Sequence, residues 1–99
     1  SRVLVFDVST ITNGMNASYV IGQANFTSGT GATSQSRLNG PVGSTYDAVN
    51  NRLFVADASN NRITVYDGTT IANGMNASYV IGQPIFTSNI ATATQSGFA

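Results

Sequence analysis

The sequence predicts an all-β fold made of repeated four-stranded antiparallel units, and three observations predict it. The eleven residues Asn13–Gln23 recur without change at Asn73–Gln83, an offset of 60 residues. Apolar residues alternate with period two, and no window sustains the helical period of 3.6. Asn, Gly, Asp and Ser separate these apolar runs, which is typical of turns between strands.

The repeat extends well beyond these eleven residues. Residues 2–39 align with residues 62–99 without a gap, and 21 of the 38 pairs are identical. A fixed period of this size indicates one supersecondary unit used more than once. We therefore divide the chain into repeat 1, residues 1–39, and repeat 2, residues 40–99.

Repeat 2 is predicted to hold a complete unit of four strands, which are rich in β-branched and aromatic residues. The four strands are predicted at about residues 43–48, 52–58, 62–67 and 78–83. The matching third and fourth strands of repeat 1 begin near Arg2 and Ser18. A loop follows the fourth strand in each repeat, and the two loops differ most at residues 29–34 and 89–94.

The turns between the strands of repeat 2 are also predicted from residue type. Asn50-Asn51 and Asn60-Asn61 are expected at turn centres, because Asn tolerates the left-handed conformation of a tight hairpin. Asp57 precedes the second turn and is expected to accept hydrogen bonds from its backbone amides. Pro41 is expected at an edge or loop, where a missing amide is least harmful.

Four antiparallel strands at a fixed period are typical of a β-propeller blade. The fold class predicted is thus all-β with about one and a half such blades in this chain. Residues 1–39 form a partial blade with its inter-blade loop, and residues 40–99 form a complete blade with its trailing loop. Because one and a half blades leave strand edges unpaired, the expected partners are further copies of the repeat in the same or neighbouring chains.

Residues 47–67, Asp-Ala-Val-Asn-Asn-Arg-Leu-Phe-Val-Ala-Asp-Ala-Ser-Asn-Asn-Arg-Ile-Thr-Val-Tyr-Asp, resemble the NHL repeat. Gly40-Pro41-Val42-Gly43 is similar to the family's blade entry, and Ser1–Asp7 is similar to a partial second copy. The resemblance implies an NHL-like propeller, and the long loops resemble repeat arrays of bacterial surface proteins. The 60-residue period is longer than is usual for the family, and both loops absorb the excess.

Composition excludes several functional classes. The net charge is zero, so neither nucleic acid nor an anionic membrane is an expected partner. The chain has no Cys or His, and its charged residues are four Arg and four Asp. Without a His or Lys base or a Cys nucleophile we expect no enzyme and no cofactor. A surface of hydroxyls and amides favours an extracellular or cell-surface location.

The aspartates allow two interpretations. Carboxylates at one end of a propeller can bind a hard cation such as Ca²⁺, but Asp7, Asp57 and Asp67 each end a strand and more simply cap the following turn. We expect capping and no metal site. Arg52 and Arg62 open strands and are expected to form exposed pairs with Asp57 or Asp67, worth about 0–1 kcal/mol each.

Four aromatic residues recur at the repeat period, and they are Tyr19, Tyr79, Phe26 and Phe86. They either pack between blades or form a platform for a glycan or protein ligand, and packing is favoured. The leading prediction is therefore a non-catalytic repeat scaffold or protein-interaction module within a larger propeller. The alternative is a lectin-like propeller that binds a carbohydrate or another small ligand.

Three sequons permit N-glycosylation in a competent host, at Asn16, Asn25 and Asn76. Two of them are copies of one another, and about this many are expected by chance in a chain so rich in Asn, Ser and Thr.

Overall fold

The computed structural model describes residues 1–98 and shows, within them, six strands and one short 3₁₀ turn. The strands are β1 (Val3–Val5), β2 (Tyr19–Ile21), β3 (Pro41–Asp47), β4 (Arg52–Asp57), β5 (Arg62–Asp67) and β6 (Tyr79–Ile81), and the 3₁₀ turn spans Ala58–Asn60. Strands β1 and β2 form one sheet, and β3-β4-β5-β6 form a second in chain order. Every neighbouring pair is antiparallel, so the prediction of an all-β, antiparallel architecture is confirmed.

The four-stranded sheet is built from consecutive hairpins. Strands β4 and β5 pair along their whole length, from Arg52 opposite Asp67 to Asp57 opposite Arg62. Strand β3 begins two residues before its predicted start, and its register shifts beside Pro41. Proline is tolerated there because the first residue of a strand need not donate to the ladder.

The turn predictions for the two Asn pairs are confirmed. Asn51 has a φ of 53° and Asn61 a φ of 50°, both in the left-handed region. The amide of Asn61 donates to the carbonyl of Ala58 at 3.1 Å, which closes the 3₁₀ turn between β4 and β5.

The fourth strand of the unit is shorter than predicted, because glycine ends it. Strand β6 stops at Ile81, and Gly82 follows with a φ of 93°. Gly22 repeats this geometry after β2 with a φ of 91°. A Cβ atom at Gly22 would lie 2.7 Å from Cδ1 of Leu38, so the bend also allows close packing.

A buried glutamine fixes the loop after this bend in each repeat. Nε2 of Gln23 donates to the carbonyl oxygens of Ser1 and Thr30, both at 2.8 Å. Gln83 makes the same two bonds 60 residues later, at 2.9 and 2.8 Å. The sequence repeat is therefore also a repeat of hydrogen bonding.

The hydrophobic core lies between the repeats. Its buried members are Ile21 and Leu38 from repeat 1 and Val55, Tyr66 and Ala77 from repeat 2. Each repeat thus buries apolar surface against the other, as stacked repeat units do.

Candidate functional site

A buried ion pair lies where the two repeats meet. Nε of Arg62 is 2.8 Å from Oδ2 of Asp57, and both side chains are fully buried. Asp57 ends β4 and Arg62 opens β5 directly opposite it, so the hairpin register brings the charges together. This is the only ion pair within residues 1–98.

The rest of the Arg62 guanidinium joins loops of both repeats. Nη1 donates to the carbonyl of Phe86 at 2.6 Å, and Nη2 donates to the carbonyls of Ser34 and Arg37 at 2.9 and 2.8 Å. The planar fork of donors suits this task because it reaches several acceptors at once. We call this contact region between the repeats the junction.

Two expectations about Asp57 were wrong. Its carboxylate does not cap the 3₁₀ turn that follows it. Oδ1 instead accepts from the amide of Asn39 in repeat 1 at 2.7 Å, and Oδ2 accepts from Nδ2 of Asn60 at 2.8 Å. The expected pairing of Arg62 with Asp57 is confirmed, but the pair is buried rather than exposed, because repeat 1 covers that end of the hairpin.

Capping is confirmed for the other two aspartates that were named. Oδ1 of Asp7 accepts from the amide of Ser9 at 3.0 Å, and Oδ1 of Asp67 accepts from the amide of Thr69 at 2.9 Å. The Ser9 amide lowers the pKa of Asp7, and the Thr69 hydroxyl, followed by its amide, lowers that of Asp67. No group of three carboxylates within residues 1–98 is arranged to hold a metal ion.

Repeat 2 covers the outer edge of β2. The amide of Val20 donates to Oδ1 of Asn73 at 3.1 Å, and the amide of Gly74 donates to the Val20 carbonyl at 2.9 Å. Beside them Gln35 and Ala77 exchange two bonds of 2.9 Å, one in each direction. Sequence reasoning identified these residues as part of the repeat but did not predict that they form a contact. The only signal for that role was their exact recurrence after 60 residues.

Repeat 1 carries an open groove of about 450 Å³ on its free side. The groove is lined by Arg2, Leu4, Phe6, Met15, Asn16, Ala17 and Phe26. The equivalent residues of repeat 2, which lie 60 positions later in the sequence, form the surface that repeat 1 covers. Phe6 is 43% exposed in the groove, whereas its counterpart Tyr66 is 1% exposed, and this burial raises the pKa of Tyr66.

The four predicted aromatic residues do not share one environment. Phe26 lines the groove at 40% exposure, whereas Phe86 packs against the core. Tyr19 and Tyr79 open β2 and β6, and Tyr79 is 59% exposed. The structure therefore does not bring these residues together as a single platform.

Tyr79 lines a separate polar cavity of about 240 Å³. Its ring centroid is 6.0 Å from Cζ of Arg52, within reach of a cation–π contact. Asn50, Asn51 and Asp67 also line this cavity. An exposed ring beside amide, guanidinium and carboxylate groups offers both stacking and hydrogen bonding to a polar ligand.

The three sequon asparagines are all exposed. Asn16 borders the groove, and Asn76 holds the same position in repeat 2. The Asn25 side chain already accepts from the amide and hydroxyl of Thr27, at 3.1 and 2.9 Å.

Comparisons with protein-family models, curated proteins and solved structures returned no match. Within residues 1–98 no helix has the length and apolar character needed to cross a bilayer.

Proposed function

We propose that this chain is a non-catalytic repeat scaffold, part of a larger NHL-like β-propeller or repeat assembly outside the cell or on its surface. The order β3-β4-β5-β6, with every pair antiparallel, supports a four-stranded propeller blade. Strands β1 and β2 match the last two strands of such a blade in position and pairing.

The observation that carries this proposal is the junction. Asn73, Gly74 and Ala77 of repeat 2 bond the backbone or side chains of repeat 1, and each has an identical counterpart 60 residues earlier. A contact surface that is present in both repeats but makes its contact in only one of them is what a stack of repeats requires. The lack of His, Lys and Cys in the sequence supports a scaffold rather than an enzyme.

The matched pair Asn73→Ala and Asn13→Ala tests the junction. Asn73→Ala removes the acceptor of the Val20 amide and should destabilise the covered β2 edge by about 1 kcal/mol. Hydrogen exchange at Val20 should then be about fivefold faster. Asn13→Ala makes the same chemical change on the free side and should leave this exchange unaltered at low protein concentration. Equal exchange in both variants would contradict a repeat stack held by this contact.

The alternative, lectin-like binding, has one observation in its favour, the polar cavity beside Tyr79. Saturable binding on a glycan array that is lost on Tyr79→Ala, and kept on Tyr19→Ala, would favour that function over the scaffold. The scaffold predicts no glycan binding that depends on Tyr79.

A further inference from the structure

We propose that a second copy of this chain docks head to tail, with the groove of one copy receiving the outer face of repeat 2 of the next. This outer face is formed by Val80, Ile81, Thr94, Gln95 and Phe98. The inference rests on the proposed scaffold function and names the partner of its junction. It is argued from bonds that the chain already makes once, between its own repeats.

The free side of repeat 1 presents the same groups that repeat 2 uses at the junction. Asn13, Gly14 and Ala17 are identical to Asn73, Gly74 and Ala77. Within residues 1–98, Oδ1 of Asn13 and the amides of Gly14 and Ala17 have no hydrogen-bond partner.

The outer face of repeat 2 presents the complementary groups. Val80 lies opposite Thr64 as Val20 lies opposite Leu4, so its amide and carbonyl point to the open edge of β6. Gln95 matches Gln35, and its side-chain amide makes no hydrogen bond within residues 1–98.

Apolar surface is complementary as well. Ile21 is fully buried at the junction, whereas its counterpart Ile81 is 44% exposed. Leu38 is fully buried, and its counterpart Phe98 is only half-buried. These two side chains are placed to enter the groove of a second copy as Ile21 and Leu38 enter the shared core.

The docked copy would reproduce six of the junction's hydrogen bonds. Val80 would pair with Asn13 and Gly14, and Gln95 would exchange two bonds with Ala17. Arg2 would donate to the carbonyls of Thr94 and Gly97, as Arg62 donates to those of Ser34 and Arg37. The bonds that Asp57 and Asn60 make to repeat 1 are not among these six.

A head-to-tail contact uses two different surfaces, and therefore leaves one of each free on every dimer. Two variants exploit this. Ala17→Arg fills the groove with a charged side chain, and Ile81→Arg places one on the outer face. Sedimentation velocity should show concentration-dependent association of the native chain and its loss in either variant alone. An equimolar mixture should form a dimer and nothing larger, because each variant keeps the surface that the other lacks.

Gln95→Ala is a milder variant that removes no bond within residues 1–98, and circular dichroism should show native folding. Its self-association should be about tenfold weaker than that of the native chain. A native chain that stays monomeric at about millimolar concentration would overturn the proposal, as would association or aggregation that Ala17→Arg and Ile81→Arg leave unaltered. The latter would indicate pairing through the open edge of β3. In either case an effect of Asn73→Ala on Val20 exchange would leave the scaffold function standing.

Discussion

At the scale of the residue, Arg2 and Arg62 show how the same type of side chain has different roles at equivalent positions of the two repeats. They occupy equivalent positions, and each donates from Nη1 to the carbonyl 24 residues ahead at 2.6 Å. Arg2 is exposed, whereas Arg62 is 2% exposed and also bonds Asp57 and two carbonyls of repeat 1. The neighbouring repeat supplies two of these acceptors, and Asp57, at the end of the preceding strand of the same hairpin, supplies the ion pair.

This contrast predicts unequal effects of the same substitution. Arg62→Ala leaves the fully buried carboxylate of Asp57 without its partner and should reduce the free energy of unfolding by about 3–5 kcal/mol. Arg2→Ala removes one exposed hydrogen bond and should reduce it by about 1 kcal/mol or less. Urea unfolding at low protein concentration measures both, and similar losses would contradict the assigned role of Arg62.

At the scale of the element, the hairpin ends depend on ionised aspartates. The Asn50 side chain, followed by its amide, lowers the pKa of Asp47 at the turn between β3 and β4. The Thr69 hydroxyl does the same for Asp67 after β5. Both carboxylates are more acidic in the folded chain than their ordinary pKa of 3.8.

A lowered folded-state pKa fixes the direction of the pH dependence. Stability from these turns is present above the unfolded pKa and is lost as the pH falls through the folded pKa, because unfolding then takes up protons. The thermal midpoint should therefore fall between about pH 5 and pH 3. Asp67→Asn should make this fall shallower, since one titrating group is gone. An unaltered pH profile would show that the turn bond does not contribute to stability.

At the scale of the whole molecule, the shared core makes the repeats interdependent. Leu38 belongs to repeat 1, is fully buried, and packs in a cluster whose other members include Val55 and Tyr66 of repeat 2. Leu38→Ala should reduce the free energy of unfolding by about 2–5 kcal/mol and lower amide protection in both sheets. Phe98→Ala, at the matching half-buried position, should have the smaller effect. Protection lost only in β1 and β2 would contradict a common core.

Local pattern was sufficient to predict the strands, but not their surroundings. Residues 62–67 were predicted as a strand and form β5, because alternation and flanking Asn turns are properties of neighbouring residues. The role of Asp57 was not predictable in this way. Its partner Asn39 is 18 residues distant, and only the packing of the two repeats brings them together. Whether the sheets belong to a closed propeller is a property of a larger assembly and stays a prediction.

The side-chain nitrogens of both buried glutamines donate to main-chain oxygens, and this bears on how the protein can change over generations. Gln23 reaches the carbonyl of Thr30, and Gln83 reaches that of Ile90, although residues 29–34 and 89–94 differ at all six positions. A carbonyl oxygen is the same in every amino acid. The loops can therefore accept mutations that give each repeat its own outward surface, while the contacts that anchor them are inherited intact.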